Sequence, residues 1–134
     1  MKIVLEPGAK VSRAHPTDAG LDLFATSSGW VLPKSRKVFG TGLHAQIPKY
    51  HVGFLTSKSG MMLRGLTSRG TIDSGYNGEI RAVIYNHGWL PVRIRKGQKI
   101  TQLVVLPIVK PRLEMVDSLE ETDRGENGFG STGK

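Results

Sequence analysis

At 134 residues the chain makes one domain, long enough to bury a core of its own. It holds no cysteine, which excludes a disulfide framework and a thiolate metal site, and no apolar run is long enough to span a bilayer. The formal charge of +8 is split, with 17 Lys and Arg against 5 Asp and Glu before residue 114, and 2 against 6 from there on. A basic body suits a polyanionic partner, either nucleic acid or nucleotide phosphates, with plain solubility charge as the competing reading. The opening residues Met1 to Glu6 run into Pro7 too early for a signal peptide, so a soluble, cytoplasmic protein is expected.

In chain order, the first stretch with more than structural content is Asp18-Ala19-Gly20-Leu21-Asp22-Leu23. Asp18 suits a turn cap. Asp22 lies between two leucines and opens the apolar run Leu23-Phe24-Ala25, so its carboxylate needs a partner or a cation. Val31-Leu32, Leu43-Ala45-Ile47 and Tyr50-Val52-Phe54 read as short alternating strands broken by Gly, Pro and Ser. Ser57-Lys58-Ser59-Gly60 then leads into Gly60 to Gly65, the only segment that suits a helix, of a turn or two. Hydroxyls, a cation and free N–H groups there make either an anion site or an ordinary cap.

The central stretch is Gly70-Thr71-Ile72-Asp73-Ser74-Gly75-Tyr76-Asn77-Gly78-Glu79-Ile80. Its glycines allow close backbone approach, and Asn77-Gly78 signals a tight turn, so Asp73 and Tyr76 are expected on a bent, exposed ridge. A carboxylate beside an aromatic in such a bend suits a general base next to a flat ligand, or a solvated hairpin. Ile80-Ala82-Ile84 continues as a strand. Val92-Ile94 and Ile100 flank Lys96-Gly97, which reads as a hairpin turn, and Arg93, Arg95, Lys96 and Lys99 read as ordinary surface charge. Leu103 to Val109 suggests a strand buried on both faces, preceded by a lone amide, Gln102, that must be satisfied or face a polar cavity. Many short strands with glycine-rich turns argue for a sandwich or barrel. Residues 1–119 form the expected domain, and Glu120 to Lys134, acidic and then glycine-rich, a flexible C-terminal tail. Within it, Arg124 to Gly133 combines arginine, glycines, hydroxyls and Phe129 in the manner of a phosphate cradle with a stacking ring.

Five of these stretches, in this order, resemble the motifs of the trimeric dUTPase family: Ala19 to Leu23, Lys58 to Gly60, Gly70 to Ile80, Gly97 to Leu103, and Arg124 to Gly133. The third and fifth are the most specific. The resemblance implies an all-β fold, a distorted jelly-roll β-barrel with one short helix, assembled as a homotrimer that hydrolyses dUTP to dUMP and pyrophosphate. It implies Asp73 as the general base that activates water against the α-phosphorus, and Tyr76 as the ring that packs on deoxyribose and excludes a 2′-hydroxyl. Lys58, Ser59 and Gly60 would hold phosphate oxygens, with Gln102 adding a contact. Gly70 and Ile72 would line the nucleotide, Thr67 and Ser68 would contact the base, and Asp22 would meet Mg²⁺ on the triphosphate through water. Arg124, Gly130, Ser131 and Thr132 would close on the terminal phosphate while Phe129 covers the uracil, each site drawing on all three subunits.

Two features depart from the family pattern. Lys58 stands where the family usually has Arg, offering a point charge instead of a bidentate fork, with Arg64 as a possible assistant. The segment Leu63 to Arg69 is shorter than the usual uracil-reading hairpin and lacks its Asn. Two alternatives follow from the same residues. A dCTP deaminase shares the fold but needs a glutamate where Asp73 stands, and Glu79 is too far along to serve. A binding or regulatory module on this fold is the other, although Tyr76 and Phe129 sit in a bend and a tail instead of on a sheet face, so stable nucleic-acid binding is not expected.

Overall fold

The computed structural model describes residues 1–130 and Gly133. Among the described residues there are ten strands and one helical turn: β1 (Lys2–Leu5), β2 (Val11–Ser12), β3 (Leu21–Phe24), β4 (Gly29–Val31), β5 (Arg36–Gln46), β6 (His51–Thr56), α1 (Ser59–Met62), β7 (Leu66–Ile72), β8 (Ile80–Asn86), β9 (Val92–Ile94) and β10 (Lys99–Pro107). Eight strands form one sheet in the order β1-β5-β8-β7-β6-β10-β3-β2, and β4 pairs with β9 in a separate ribbon. Every pairing is antiparallel.

The large sheet curls on itself. Leu23 of β3, Leu43 of β5, Leu55 of β6, Ile80 of β8 and Leu103 of β10 share one buried cluster, although β3 and β5 are far apart in strand order. A second cluster joins Phe39, Leu66, Ala82 and Ile84 of the sheet to Val31 and Ile94 of the ribbon and Met61 of α1. The ribbon and the helical turn therefore cap the barrel where the sheet alone would leave these side chains wet, each worth about 1.5–3 kcal/mol when fully buried. In β8, Ile80, Ala82 and Ile84 point inward while Arg81 and Tyr85 are exposed, as the alternation requires.

Three expectations from the sequence are corrected. Lys96-Gly97 does form a turn, with Gly97 at φ 79°, but it joins no hairpin: β9 pairs with β4, while β10 pairs with β3 and β6. Leu103 to Val109 is not buried on both faces, because Leu106 is 44% exposed and Val109 88% exposed. Hydrophobic content alone does not say which face of a strand finds a neighbour. Asn77-Gly78 is not a two-residue primed turn either, since neither residue has positive φ and the β7–β8 ladder opens well before it, at Ser68↔Ile84.

The far end of that connection meets a bulge in β5. The β5–β8 register shifts between Gly40 and Leu43, and Gly42 takes φ 64°, a conformation L side chains rarely adopt. A Cβ at Gly40 would meet the Glu79 carboxylate, and one at Gly42 would meet Ala9. The two glycines thus let the carboxylate of Glu79 close onto the β5 backbone.

Candidate active site

The ridge from Asp73 to Glu79 is exposed and bent, and it is pinned from four directions. Tyr76 N–H donates to Asp73 O at 3.1 Å, and Tyr76 Oη donates to Glu79 O at 2.9 Å. The Tyr76 ring fills the space where a Gly78 side chain would stand. Glu79 Oε1 accepts from Gly42 N–H at 3.0 Å, and its Oε2 accepts from Arg81 Nε at 2.7 Å. His44 reaches Asn77 O with Nδ1 and Glu6 Oε1 with Nε2, each at 3.0 Å. Both His44 partners are acceptors, so the imidazolium, which donates from both nitrogens, suits the site; the Asn77 carbonyl first, then Glu6, draws the His44 pKa above its ordinary value. Asp73 and Tyr76 are displayed on this frame, and none of the bonds that hold it uses the Asp73 side chain. Glu79 is committed to the frame, which removes it as the acid of a deaminase.

A second group of side chains gathers around Asp22, which is 4% exposed. Its Oδ1 pairs with Lys58 Nζ, and its Oδ2 lies 2.8 Å from Lys99 Nζ. Burial pushes the Asp22 carboxyl up, but the hydrogen bonds and charge of Lys58 and Lys99 outweigh this and hold its pKa below the ordinary carboxylate value. Gln102 lies directly opposite Asp22 across the β3–β10 ladder, its amide occupying the space a Gly20 side chain would need. Asp22, Lys58 and Gln102 are therefore brought together. Lys99, read from the sequence as surface charge, belongs with them.

The reason Lys99 was missed is a second bulge. Between Lys99 and Thr101 the β10–β3 register shifts, so Lys99 pairs with Phe24 while Gln102 pairs with Asp22. An odd spacing of three along the strand puts two side chains on opposite faces, and one extra residue restores them to the same face. Arg64 goes the other way. Its guanidinium donates to Arg93 O at 3.3 Å, so it does not reinforce Lys58.

The start of α1 is not an ordinary cap, since Lys58 at the N-cap position makes no side-chain cap bond. Ser59 and Gly60 are exposed there. The hydroxyl of Ser57 instead clips β7, donating to Ser68 O at 3.0 Å and accepting from Ser68 N–H at 2.8 Å. Ser68 Oγ is left buried without a hydrogen-bond partner. Ser57, Thr67, Ser68, Arg69, Tyr85 and His87 line a cleft of about 600 Å³, where Thr67 Oγ1 meets His87 Nε2 at 2.7 Å. In the tail, Arg124 Nε donates to Asn127 O at 2.9 Å, Gly130 has φ 82°, and Phe129 is fully exposed. Ser131 and Thr132 lie outside the described residues.

The two groups do not meet within one chain. Ile72 pairs with Gly53 and Arg69 with Thr56, so Asp73 and Lys58 lie beyond opposite ends of the β6–β7 ladder. The intervening run from Gly53 to Thr56 alone spans about 10 Å. Among the described residues no group of three or more His, Cys, Asp or Glu gathers as a metal site. Both oxygens of Asp22 already meet ammonium groups, so this carboxylate suits a cation only through an intervening water, not as a direct ligand.

The Asp22 cluster predicts an acid limit to stability. Asp22 and Glu79 both titrate below their ordinary values in the folded chain, Glu79 because Gly42 N–H and Arg81 overcome the upward push of burial. Such groups stabilise the fold above the unfolded carboxylate pKa, about 4, and lose that contribution as pH falls through the folded value. From these two carboxylates, denaturation midpoints should drop below about pH 4. Asp22→Asn should make that drop shallower, and an unchanged profile would remove Asp22 from it.

The dUTPase family model matches residues 6–133. The deoxyuridine 5′-triphosphate nucleotidohydrolase of Clostridium tetani is 39% identical over 138 aligned positions, covering 100% of this chain and 95% of the relative. That of Clostridium kluyveri is 44% identical, covering 90% and 87%. Among solved structures, the Staphylococcus bacteriophage 80alpha dUTPase with dUPNHPP superposes with a TM-score of 0.91 at 32% identity, over 99% of this chain and 98% of that one. A phage phi11 dUTPase mutant that coordinates a structural Mg(II) ion superposes with a TM-score of 0.82 at 29% identity, over 90% and 98%.

Proposed function

The chain belongs to the dUTPase family, and from that membership we propose how its own residues carry out the hydrolysis of dUTP to dUMP and pyrophosphate. Asp73 takes a proton from the attacking water as it approaches the α-phosphorus. Tyr76, fixed through its hydroxyl to Glu79 O, offers its ring to the deoxyribose. Lys58, Ser59, Gly60 and Gln102 receive the phosphates. Gly70 and Ile72 line the nucleotide from β7, on the side of Asp73, and the cleft at Thr67 and Ser68 suits the uracil. Arg124, Phe129, Gly130, Ser131 and Thr132 close over the bound nucleotide.

Mg²⁺, in this reading, is part of the substrate: on the triphosphate it neutralises oxygen charge, and Asp22 faces it through water. The direct work of Asp22 is to hold Lys58 and Lys99 in place beside the phosphates. Lys58 brings a point charge where an arginine would bring a fork, and Lys99 supplies a second cation on the same carboxylate. Among the described residues no helix is long and apolar enough to cross a membrane.

The observation that carries the reading is the separation of Asp73 from Lys58 along β6–β7. A base and a phosphate grip that cannot meet in one chain can meet between copies, as a closed ring of identical subunits allows. The test is complementation. Asp73→Asn chains and Lys58→Gln chains, each inactive alone, should regain activity when unfolded and refolded together, in roughly a quarter of sites on random mixing in closed rings. Light scattering should report a trimer. Absence of recovery from mixed, folded trimers would place both residues in one chain's site and defeat the shared arrangement.

A further inference from the structure

We propose that the cleft between Arg64, Trp89 and Arg93, extended along the β4–β9 ribbon to Trp30, is a binding surface for single-stranded nucleic acid, separate from the dUTP site. The cleft holds about 690 Å³ and is lined by Arg64, Arg93 and Arg95 with Trp89, and among the described residues no carboxylate lines it. Three guanidinium groups held around one space without a counter-charge repel one another, and an anion relieves that repulsion. The 2 tryptophans of the chain both lie on this surface, Trp89 at 80% exposure and Trp30 at 53%. Each is flanked by a cation: Lys34 Nζ stands 4.1 Å from the Trp89 ring centroid, and the Arg93 guanidinium 6.0 Å from that of Trp30, its partner across the ribbon.

The display is built, not loose. Asn86, 2% exposed, donates to Val31 O at 3.0 Å and Leu90 O at 2.8 Å and accepts from Gly88 N–H at 2.9 Å. Lys34 donates to His87 O at 2.6 Å. These bonds hold the loop that carries Trp89, so its indole is presented without an ordering cost at binding. Arg64 is fixed to Arg93 O, and Gln98 Oε1 holds Arg95 N–H at 3.1 Å.

Cations alternating with exposed rings match a ligand that alternates phosphates with flat faces. Duplex bases keep their faces stacked inside the helix, whereas single-strand bases offer them. Two indoles, each with its own cation, suit more than one nucleotide in succession. The inference runs against the expectation drawn from Tyr76 and Phe129, because the rings that matter here are neither of those.

The experiment is fluorescence anisotropy of a short labelled oligothymidylate with the full-length protein, across salt concentrations. Binding should weaken with salt at a log–log slope of about −2 if three phosphates are neutralised. Trp89→Ala and Arg93→Ala should each weaken it roughly tenfold, while Trp89→Phe keeps most of it. Hydrolysis of dUTP and oligomeric mass should not change in these variants, and a non-hydrolysable dUTP analogue should not displace the oligonucleotide. Absence of binding at low salt, displacement by the analogue, or equal binding of inorganic polyphosphate or an acidic peptide would each overturn the proposal. So would a change of oligomeric mass in Trp89→Ala, which would make this face a contact between copies.

Discussion

Asp73→Asn should keep the fold and the affinity for a non-hydrolysable dUTP analogue while lowering kcat by roughly a hundred- to ten-thousand-fold, the usual worth of a general base. The substitution is near-isosteric and removes only the proton acceptor. The ridge around it is held by Tyr76 to Glu79 O, by His44 to Asn77 O and by Glu79 to Gly42 and Arg81, and none of these bonds uses the Asp73 carboxylate. The loss should therefore fall on kcat, with melting temperature and analogue affinity nearly unchanged. Turnover close to that of the unmodified chain would take the base role away from Asp73.

Removing residues 124–134 should separate turnover from stability in the same way. Among the described residues Arg124 bonds its near neighbour Asn127, Gly125 N–H bonds Thr122 O, and Phe129 is fully exposed. The turns these bonds make are local, and deleting them should leave the melting temperature where it was. Ordering such a segment costs roughly 1–2 kcal/mol of backbone entropy per residue, which, in the proposed site, phosphate contacts and a stacked Phe129 would offset only with the triphosphate bound. If the segment closes on the triphosphate as proposed, turnover should fall on the order of a hundredfold or more without it. Full hydrolysis by the shortened chain would make the segment a tail without function.

The local chemistry of the site is legible in neighbouring residues: the bent, exposed ridge with Asp73 and Tyr76, the demand of Asp22 for a cationic partner, and the short turn after Lys58. Each follows from residues within a few positions of one another, where glycine conformational freedom, side-chain size and burial of a charge act directly. The strand pattern also pointed to an all-β sandwich or barrel, since short alternating segments have few other ways to bury one face, and the barrel itself came from the family resemblance.

Tertiary structure alone decided which residues share a face and which ends of strands come together. A bulge before Thr101 turns Lys99 toward Asp22, and another at Gly40 to Leu43 seats Glu79 against β5. Side chains alternate with a period of two, so one inserted residue reverses every assignment of face beyond it, and nothing in the local pattern marks the insertion. The pairing of β9 with β4 instead of β10, the turning of Arg64 toward Arg93, and the separation of Asp73 from Lys58 along β6–β7 have the same origin. They depend on ladder registers between segments distant in the chain, which are set by how the whole sheet closes on its core.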